Sequence, residues 1–427
     1  MRKYCSLLIL ILVFIGLDTR AQKLTERKVR KLFDKSSLMQ EHFVGFILQE
    51  EGGKIVFSQH EDIHFVPASN TKLLTLYAGL QILGDSIPAF HYEVSGDSLI
   101  IWATGDPSLL HPDLDNGKVF HFLRNTPYQI FLAEQHPIVF EPSYWRSDPA
   151  LFPIYGNTAT ISKDSQAGLQ VSPKAMGSFI KPDSSLFQNK FNIVRSKSGN
   201  ELIYPHLPIP DGFQDRVPFP MDLHMSRYLL QDTLKRTVNL VRRQKGKNIK
   251  TYYSIPSDSL YKHMMLPSDN FLAEQILILC SGMISDTLDA KKTIDYLNEY
   301  WLNELKNVPI WEDGSGLSRY NLFTPMTVLE ILNRLEGIVG NKERLKCFFP
   351  AGGVSGTLRT AYKLDEGKPF VWAKTGSLRN MHLQSGWMET RKGKTYRFVF
   401  MNNNFVRPTS EIRNEMVSII TYLHDNY

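Results

Sequence analysis

Apolar and polar positions alternate in three different regimes along the chain. After a charged amphipathic stretch from Lys28 to Met39, "FVGFILQ", the glycine-containing "EEGGK" and "IVFSQ" read as two strands joined by a turn. From Ser69 the period lengthens. Leu73, Leu76, Tyr77 and Leu80 recur at helical spacing and Gly84 offers a stop, which predicts a helix opening at Ser69. Between about 88 and 250 neither period persists: most of the prolines lie there, short runs such as "SLIIWAT" recur, and "SKSGNE" reads as a turn. This middle region is expected to be an insert of mostly β and loop structure, dividing one domain into residues 22–87 and 251–427.

Helical spacing returns in "SDNFLAEQILILCSGMI", "DAKKTIDYLNEYWLNEL", "TPMTVLEILNRLEGI" and "NKERLKCFF", the third opening on Thr and Pro as a cap and first helical position do. "FVWAKTGS", "MHLQSGWME" and "YRFVFMNN" then alternate as antiparallel strands, with "TRKGK" as the last turn, and residues 408–424 form a final amphipathic helix. The order is strands, helices, strands, helix, interrupted by the insert. The two ends are expected to share one sheet packed with helices, an α/β (α+β) architecture.

Composition changes this picture in a few places. Arg2 and Lys3 precede an apolar run from Leu7 to Leu17, and Thr19-Arg20-Ala21 offers small residues for cleavage, so residues 1–21 read as an export signal. At about 11 residues the run is shorter than the roughly 20 that a membrane span needs. Cys5 precedes it and is badly placed for a lipid-bearing mature terminus. The formal charge of +6 comes with no basic helix, which fits a solvated surface rather than a nucleic-acid site. Twelve histidines show no clustered ligand spacing, so neither a metal nor another cofactor is expected. Cys280 and Cys347 both lie in apolar, helix-like surroundings that suit buried small hydrophobes, and whether they pair is open.

Candidate chemistry begins at Ser69 and Lys72. A Ser-x-x-Lys pair should occur by chance roughly once in 300 positions, and Ser178/Lys181 and Ser259/Lys262 repeat it, the former before Pro182 and the latter in a linker-like segment. Only Ser69 opens a long apolar helix. Residues three apart on a helix share a face, and a helix start leaves N–H groups unpaired that can stabilise an oxyanion. Ser69 is thus a nucleophile with its own base, or a simple cap beside a solvated lysine. A second motif, Ser268-Asp269-Asn270, opens another long helix, and a third, Lys374-Thr375-Gly376-Ser377, ends a strand where glycine permits close backbone approach of a ligand. Their decoys, Ser198-Gly199-Asn200 and Lys197-Ser198-Gly199, sit together in one turn.

These three motifs in this order resemble the active-site set of the penicillin-recognising serine enzymes. "GDPSL" at 105–109, "DGSGLSRYN" at 313–321, "FPAGGVSGTLR" at 349–359 and "WAKTGSLRNMHLQSGW" at 372–387 narrow the likeness to the class C low-molecular-mass penicillin-binding proteins, over most of the chain. The chain departs from them in a shorter stretch between the first two motifs and in "GGVSGTL" where "GxDGTL" is usual. The resemblance implies the penicillin-binding transpeptidase and β-lactamase-like fold. It also implies serine-type D-Ala-D-Ala carboxypeptidase activity on peptidoglycan stem peptides through an acyl-enzyme, D,D-endopeptidase activity, acylation by β-lactams, and a periplasmic location. Ser69 would attack, with Lys72 as base if burial and Lys374 keep it neutral. Ser268 would relay a proton, Asn270 would hold the peptide amide, and Lys374 with Thr375 would bind the terminal carboxylate. N–H groups of Ser69 and Ser377, with Gly376 between the motif's polar residues, would form the oxyanion hole. A β-lactamase and a non-catalytic wall-binding or penicillin-sensing protein are the alternatives. Asp313 and Arg319 are expected to fix a loop, Trp372 and Trp387 to fill strand core, and Tyr144 and Trp145 to belong to the insert's own core.

Overall fold

The structure, a computed structural model, describes residues 24–134, 149–164, 168–186, 189–196, 201–219 and 221–427. The export segment, Tyr144, Trp145 and the decoy turn at 197–200 lie outside them. In chain order α1 (Glu26–Lys35) is followed by β1 (Phe43–Glu50), β2 (Ile55–Gln59), a 3-10 turn (Ala68–Thr71) and α2 (Lys72–Ile82). The middle region carries β3 (Ser86–Ser95), β4 (Ser98–Ala103), α3 (Lys118–Asn125), β5 (Gln129–Ala133), β6 (Thr158–Asp164) and β7 (Gly168–Ser172). It continues with β8 (Ile180–Pro182), β9 (Val194–Arg195), β10 (Leu202–Tyr204), β11 (Gln214–Pro218), α4 (Leu223–Leu234), β12 (Val238–Val241) and β13 (Lys250–Pro256). The chain then runs through α5 (Ser257–Met265), α6 (Asn270–Ile284), α7 (Ala290–Leu297), α8 (Pro325–Val339), α9 (Lys342–Lys346), β14 (Val371–Leu378), β15 (Met381–Glu389), β16 (Thr395–Asn403) and α10 (Thr409–Asn426).

Both ends of the chain build one five-stranded sheet in the order β14-β15-β16-β1-β2, with β1 paired antiparallel to β16. Its strands are apolar on both faces because helices cover both. Phe46, Leu48, Phe398 and Phe400 point to the side of α1 and α10, where Phe33 and Met416 meet them, while Ile47, Val399 and Met401 point to the side of α2, α6 and α8. This two-sided burial explains the near-continuous apolar runs in β1 and β16. β14 is left at the sheet edge, facing the 3-10 turn that carries Ser69.

The insert holds a mixed sheet, β12-β5-β4-β3-β13, and two three-stranded sheets, with α3 and α4 packed on a separate core. Its main sheet reaches from Ser86 to Pro256, slightly wider than the 88–250 interval expected. Pro88 sits within β3 opposite Tyr253, at a register irregularity where the missing N–H is tolerated. Other expectations also shift. The α7 pattern ends early in a π turn (Asn298–Leu302), α9 is a single short turn, and the decoy pair Ser259/Lys262 lies on helix α5 rather than in a linker. Cys280 is buried but Cys347 is exposed, and both are free. Burial pushes the Cys280 thiol up, as expected of an inert core cysteine.

One residue of α6 fastens the insert to the domain that carries the motifs. Gln275, fully buried, donates to Gly105 O at 2.6 Å and Ala150 O at 3.0 Å and accepts from Ala150 N at 2.9 Å. Gly105 has φ +90 and would carry its Cβ 2.7 Å from Ile278, so the "GDPSL" segment lies flat on α6. Gln275→Leu leaves three buried backbone groups unpaired and should destabilise the protein by about 3 kcal/mol, read as a lower urea midpoint. A shift below about 1 kcal/mol would show that the contact is dispensable.

Candidate active site

Ser69 is not a helix cap. It lies inside the 3-10 turn Ala68–Thr71, helix α2 begins only at Lys72, and no side chain caps that start. Ala68, just before the serine, takes a left-handed φ of +46, a conformation that costs a non-glycine residue about 1 kcal/mol or more. The turn is held from outside: Thr71 Oγ1 donates back to Ala68 O at 2.9 Å, and Asn70 Nδ2 donates to Ser385 Oγ on β15 at 2.8 Å.

Two glycines let the neighbouring backbones approach this turn. A Cβ on Gly316, at φ +81, would sit 1.8 Å from Ala68 O. One on Gly376 would sit 2.8 Å from Pro67 O and 3.0 Å from Ser69 N. The glycine of the third motif therefore admits the serine turn, whereas the sequence suggested that it admits a ligand. The physical requirement, close backbone approach at a strand edge, is the same.

Lys72 is fully buried at the first position of α2. Its Nζ donates to Ser69 Oγ at 3.2 Å, Asn270 Oδ1 at 2.7 Å and Ser315 O at 2.7 Å. Burial lowers its pKa to about 8, against the opposing pull of Glu274, Asp313 and Asp269. Lys374 is also fully buried and donates to Ser268 Oγ at 2.8 Å and Thr375 O at 2.7 Å. Burial first, and the Lys72 charge second, hold its pKa well below the ordinary value. The first and second motifs thus meet through Lys72 and Asn270, the second and third through Ser268 and Lys374. Ser268 has a left-handed φ of +64, which turns the chain sharply just before α6, and Asp269 caps that helix by accepting from Leu272 N at 2.8 Å.

The "DGSGLSRYN" loop divides its work. Asp313, buried, accepts from the N–H groups of Gly316 and Ser318 at 2.7 and 2.8 Å and from Asn321 Nδ2 at 2.8 Å, which is the loop-fixing role expected. Arg319 is exposed and reaches Arg379 O at 3.3 Å. Trp387 is buried and Trp372 half-buried, with the Lys346 ammonium 4.0 Å from the Trp372 ring centre.

Residues that the motif reading passed over complete the site. Glu274 is buried one turn beyond Asn270 and accepts from Gly314 N at 3.1 Å and Ser315 N at 2.9 Å, so it presents the Ser315 carbonyl to Lys72. A lone carboxylate in "FLAEQILIL", four residues after Asn270 on the same helix face, was the available signal. Thr357, in the altered "GGVSGTL" phrase, accepts from Thr375 Oγ1 at 2.7 Å.

A serine hydroxyl beside a low-pKa lysine, with a second lysine on β14 bound to a second serine, can deprotonate a nucleophile on one side and deliver a proton on the other. With the helix-covered sheet, this defines the class: the penicillin-binding, β-lactamase-like serine fold. The D-alanyl-D-alanine carboxypeptidase 3 (S13) family model matches residues 25–124 and 225–423, and the chain belongs to that family. The gap in the match covers the inner part of the insert. Among curated relatives, D-alanyl-D-alanine carboxypeptidase DacB of Haemophilus influenzae is 29% identical over 43% of this chain, and carboxypeptidase DacB of Mycolicibacterium smegmatis 30% identical over 37%. The matched stretches are 39% and 36% of those relatives' own length. Crystal structures of penicillin-binding protein 4 from Haemophilus influenzae superpose with a TM-score of 0.69 at 20% identity, over 93% of this chain and 99% of that one, and 0.68 in a β-lactam complex.

Gly316→Ala should destabilise the protein by about 2–4 kcal/mol, because both its φ and its contact with Ala68 O forbid a Cβ. Gly337→Ala, within α8 with nothing near the added methyl, should instead stabilise by about 0.5–1 kcal/mol. Equal responses in thermal unfolding would mean that the serine turn and the loop are not packed as described.

Proposed function

We propose that the protein is a serine-type D-Ala-D-Ala carboxypeptidase of the bacterial envelope, exported to the periplasm, which trims peptidoglycan stem peptides and is acylated by β-lactams. The observation that carries this reading is the buried Lys72 Nζ, 3.2 Å from Ser69 Oγ and anchored to Asn270 and Ser315. Ser69 attacks the carbonyl of the penultimate D-alanine as its proton passes to neutral Lys72. N–H groups of Ser69 and Ser377 hold the oxyanion. The C–N bond then breaks, and Ser268, hydrogen-bonded to Lys374, passes a proton to the departing amine. Water hydrolyses the resulting ester and restores the serine. Asn270 orients the peptide amide, and Lys374 with Thr375 receives the terminal carboxylate. The same acyl step would serve D,D-endopeptidation of cross-linked stems.

Among the described residues no helix is long and apolar enough to cross a membrane. The exported location rests on residues 1–21 and on the likeness to a D-alanyl-D-alanine carboxypeptidase.

The deciding experiment incubates the protein with a β-lactam and maps the adduct by mass spectrometry. A covalent adduct on Ser69, absent from a folded Ser69→Ala, is the expected result; the variant loses one Lys72 acceptor, at a cost of about 1–2 kcal/mol, and keeps those from Asn270 and Ser315. No adduct on a folded protein would favour the non-catalytic wall-binding alternative. Rapid release of hydrolysed β-lactam would favour the β-lactamase alternative.

The acylation rate should also depend on pH in one direction. Lys72 accepts a proton only when neutral, so the rate should rise about tenfold per pH unit below its pKa of about 8 and level off above it. A rate that is flat between about pH 6 and 9 would remove Lys72 from the role of base.

A further inference from the structure

Beside the third motif runs a row of polar side chains, Tyr362, Gln384 and His382, that this mechanism does not use. Ser377 on β14 pairs with His382 on β15, and Thr375 pairs with Gln384, so these four side chains share one face of the sheet. Ser377 Oγ lies 2.7 Å from His382 Nδ1, and Gln384 Nε2 lies 3.5 Å from His382 Nε2. The Tyr362 hydroxyl donates to Gln384 Oε1 at 2.7 Å. Tyr362, Gln384 and His382 are buried, whereas Ser377 is exposed at the end of the edge strand, next to the glycine that abuts Ser69.

The row has a single direction. A buried phenol must donate its proton, and Gln384 supplies the acceptor, so the amide oxygen faces Tyr362 and its N–H faces the imidazole. Burial first, and the Arg413 charge second, lower the His382 pKa to about 4, so the ring is neutral and carries one proton at neutral pH. An Nε2 that faces the Gln384 N–H at 3.5 Å favours the tautomer with the proton on Nδ1, where Ser377 Oγ, 2.7 Å away, would accept it. The hydroxyl proton of Ser377 would then point away from His382, toward the exposed side of the edge strand.

We propose that Tyr362, Gln384 and His382 are positioning residues that turn Ser377 into an outward hydrogen-bond donor, selecting acyl substrates that carry a free carboxylate on the leaving side. This inference rests on the carboxypeptidase reading for its substrate, but not for its geometry.

Two measurements test it. Long-range proton–nitrogen NMR of the intact protein should find the His382 proton on Nδ1, and Tyr362→Phe, which frees the Gln384 amide to turn, should populate the other tautomer. A ring protonated on Nε2, or on both nitrogens, in the intact protein overturns the proposal. In kinetics, Ser377→Ala and His382→Leu should each raise KM about tenfold for a D-Ala-D-Ala peptide with a free carboxylate. For His382→Leu the kcat should stay within about twofold, and its turnover of the same peptide ending in an amide should be little affected. The double variant should be no worse than Ser377→Ala alone. Additive losses, or equal losses on both peptides, overturn it. If the intact protein turns over neither peptide, the carboxypeptidase reading fails instead. The tautomer and the affinity of a carboxylate-bearing β-lactam before acylation, measured on the same variants, then decide whether the row acts as described.

Discussion

The structure turns on the burial of one ammonium group. Placing Lys72 out of water is costly unless its donors are met, and three acceptors from three separate parts of the chain meet them: Ser69 Oγ, Asn270 Oδ1 and Ser315 O. Each of those acceptors must then be held in place. Thr71 and Asn70 hold the serine turn, the Asp269 cap fixes the start of α6, and Glu274 with Asp313 pins the loop that offers Ser315. The same desolvation that these contacts offset lowers the pKa of Lys72 to about 8, near the range in which a base is useful.

Lys374 extends this logic to the edge strand β14. Two buried lysines disfavour each other's charge, and Lys374 answers with Ser268 Oγ and Thr375 O as acceptors. The serine turn can face both only because Gly316 and Gly376 have no side chain where backbone meets backbone. Helix α6 then ties the site to the insert through Gln275, so the "GDPSL" segment packs against the helix that starts with the second motif. The insert is thereby a fixed neighbour of the site as well as an appended unit.

Much of the candidate site was legible because its chemistry recurs at short spacing: Ser69 and Lys72 three apart, Ser268 and Asn270 at a helix start, Lys374 to Ser377 in one strand. The decoys were ranked by context, and one context was wrong. Ser259 and Lys262 also share a helix, and only the packing around Ser69 distinguishes the pairs. Glu274, Thr357, Tyr362, Gln384 and His382 were missed because each acts on a partner far away in sequence or across a strand pair. Cys347 sits in an apolar stretch yet faces solvent, because the α9 helix ends one residue before it.

By itself, the sequence determined most elements and their types, since the short apolar runs of β1 and β16 and the helical spacing after Ser69 follow from local backbone geometry. It also determined the three motifs, and through them the family likeness. Only the tertiary structure decided that Ser69 sits in a strained 3-10 turn instead of capping a helix, that Gly376 admits that turn, and that Lys72 is buried among acceptors. Desolvation, close approach and the direction of a hydrogen-bond row depend on which distant segments come within a few ångströms of one another. No local spacing in the chain encodes that distance.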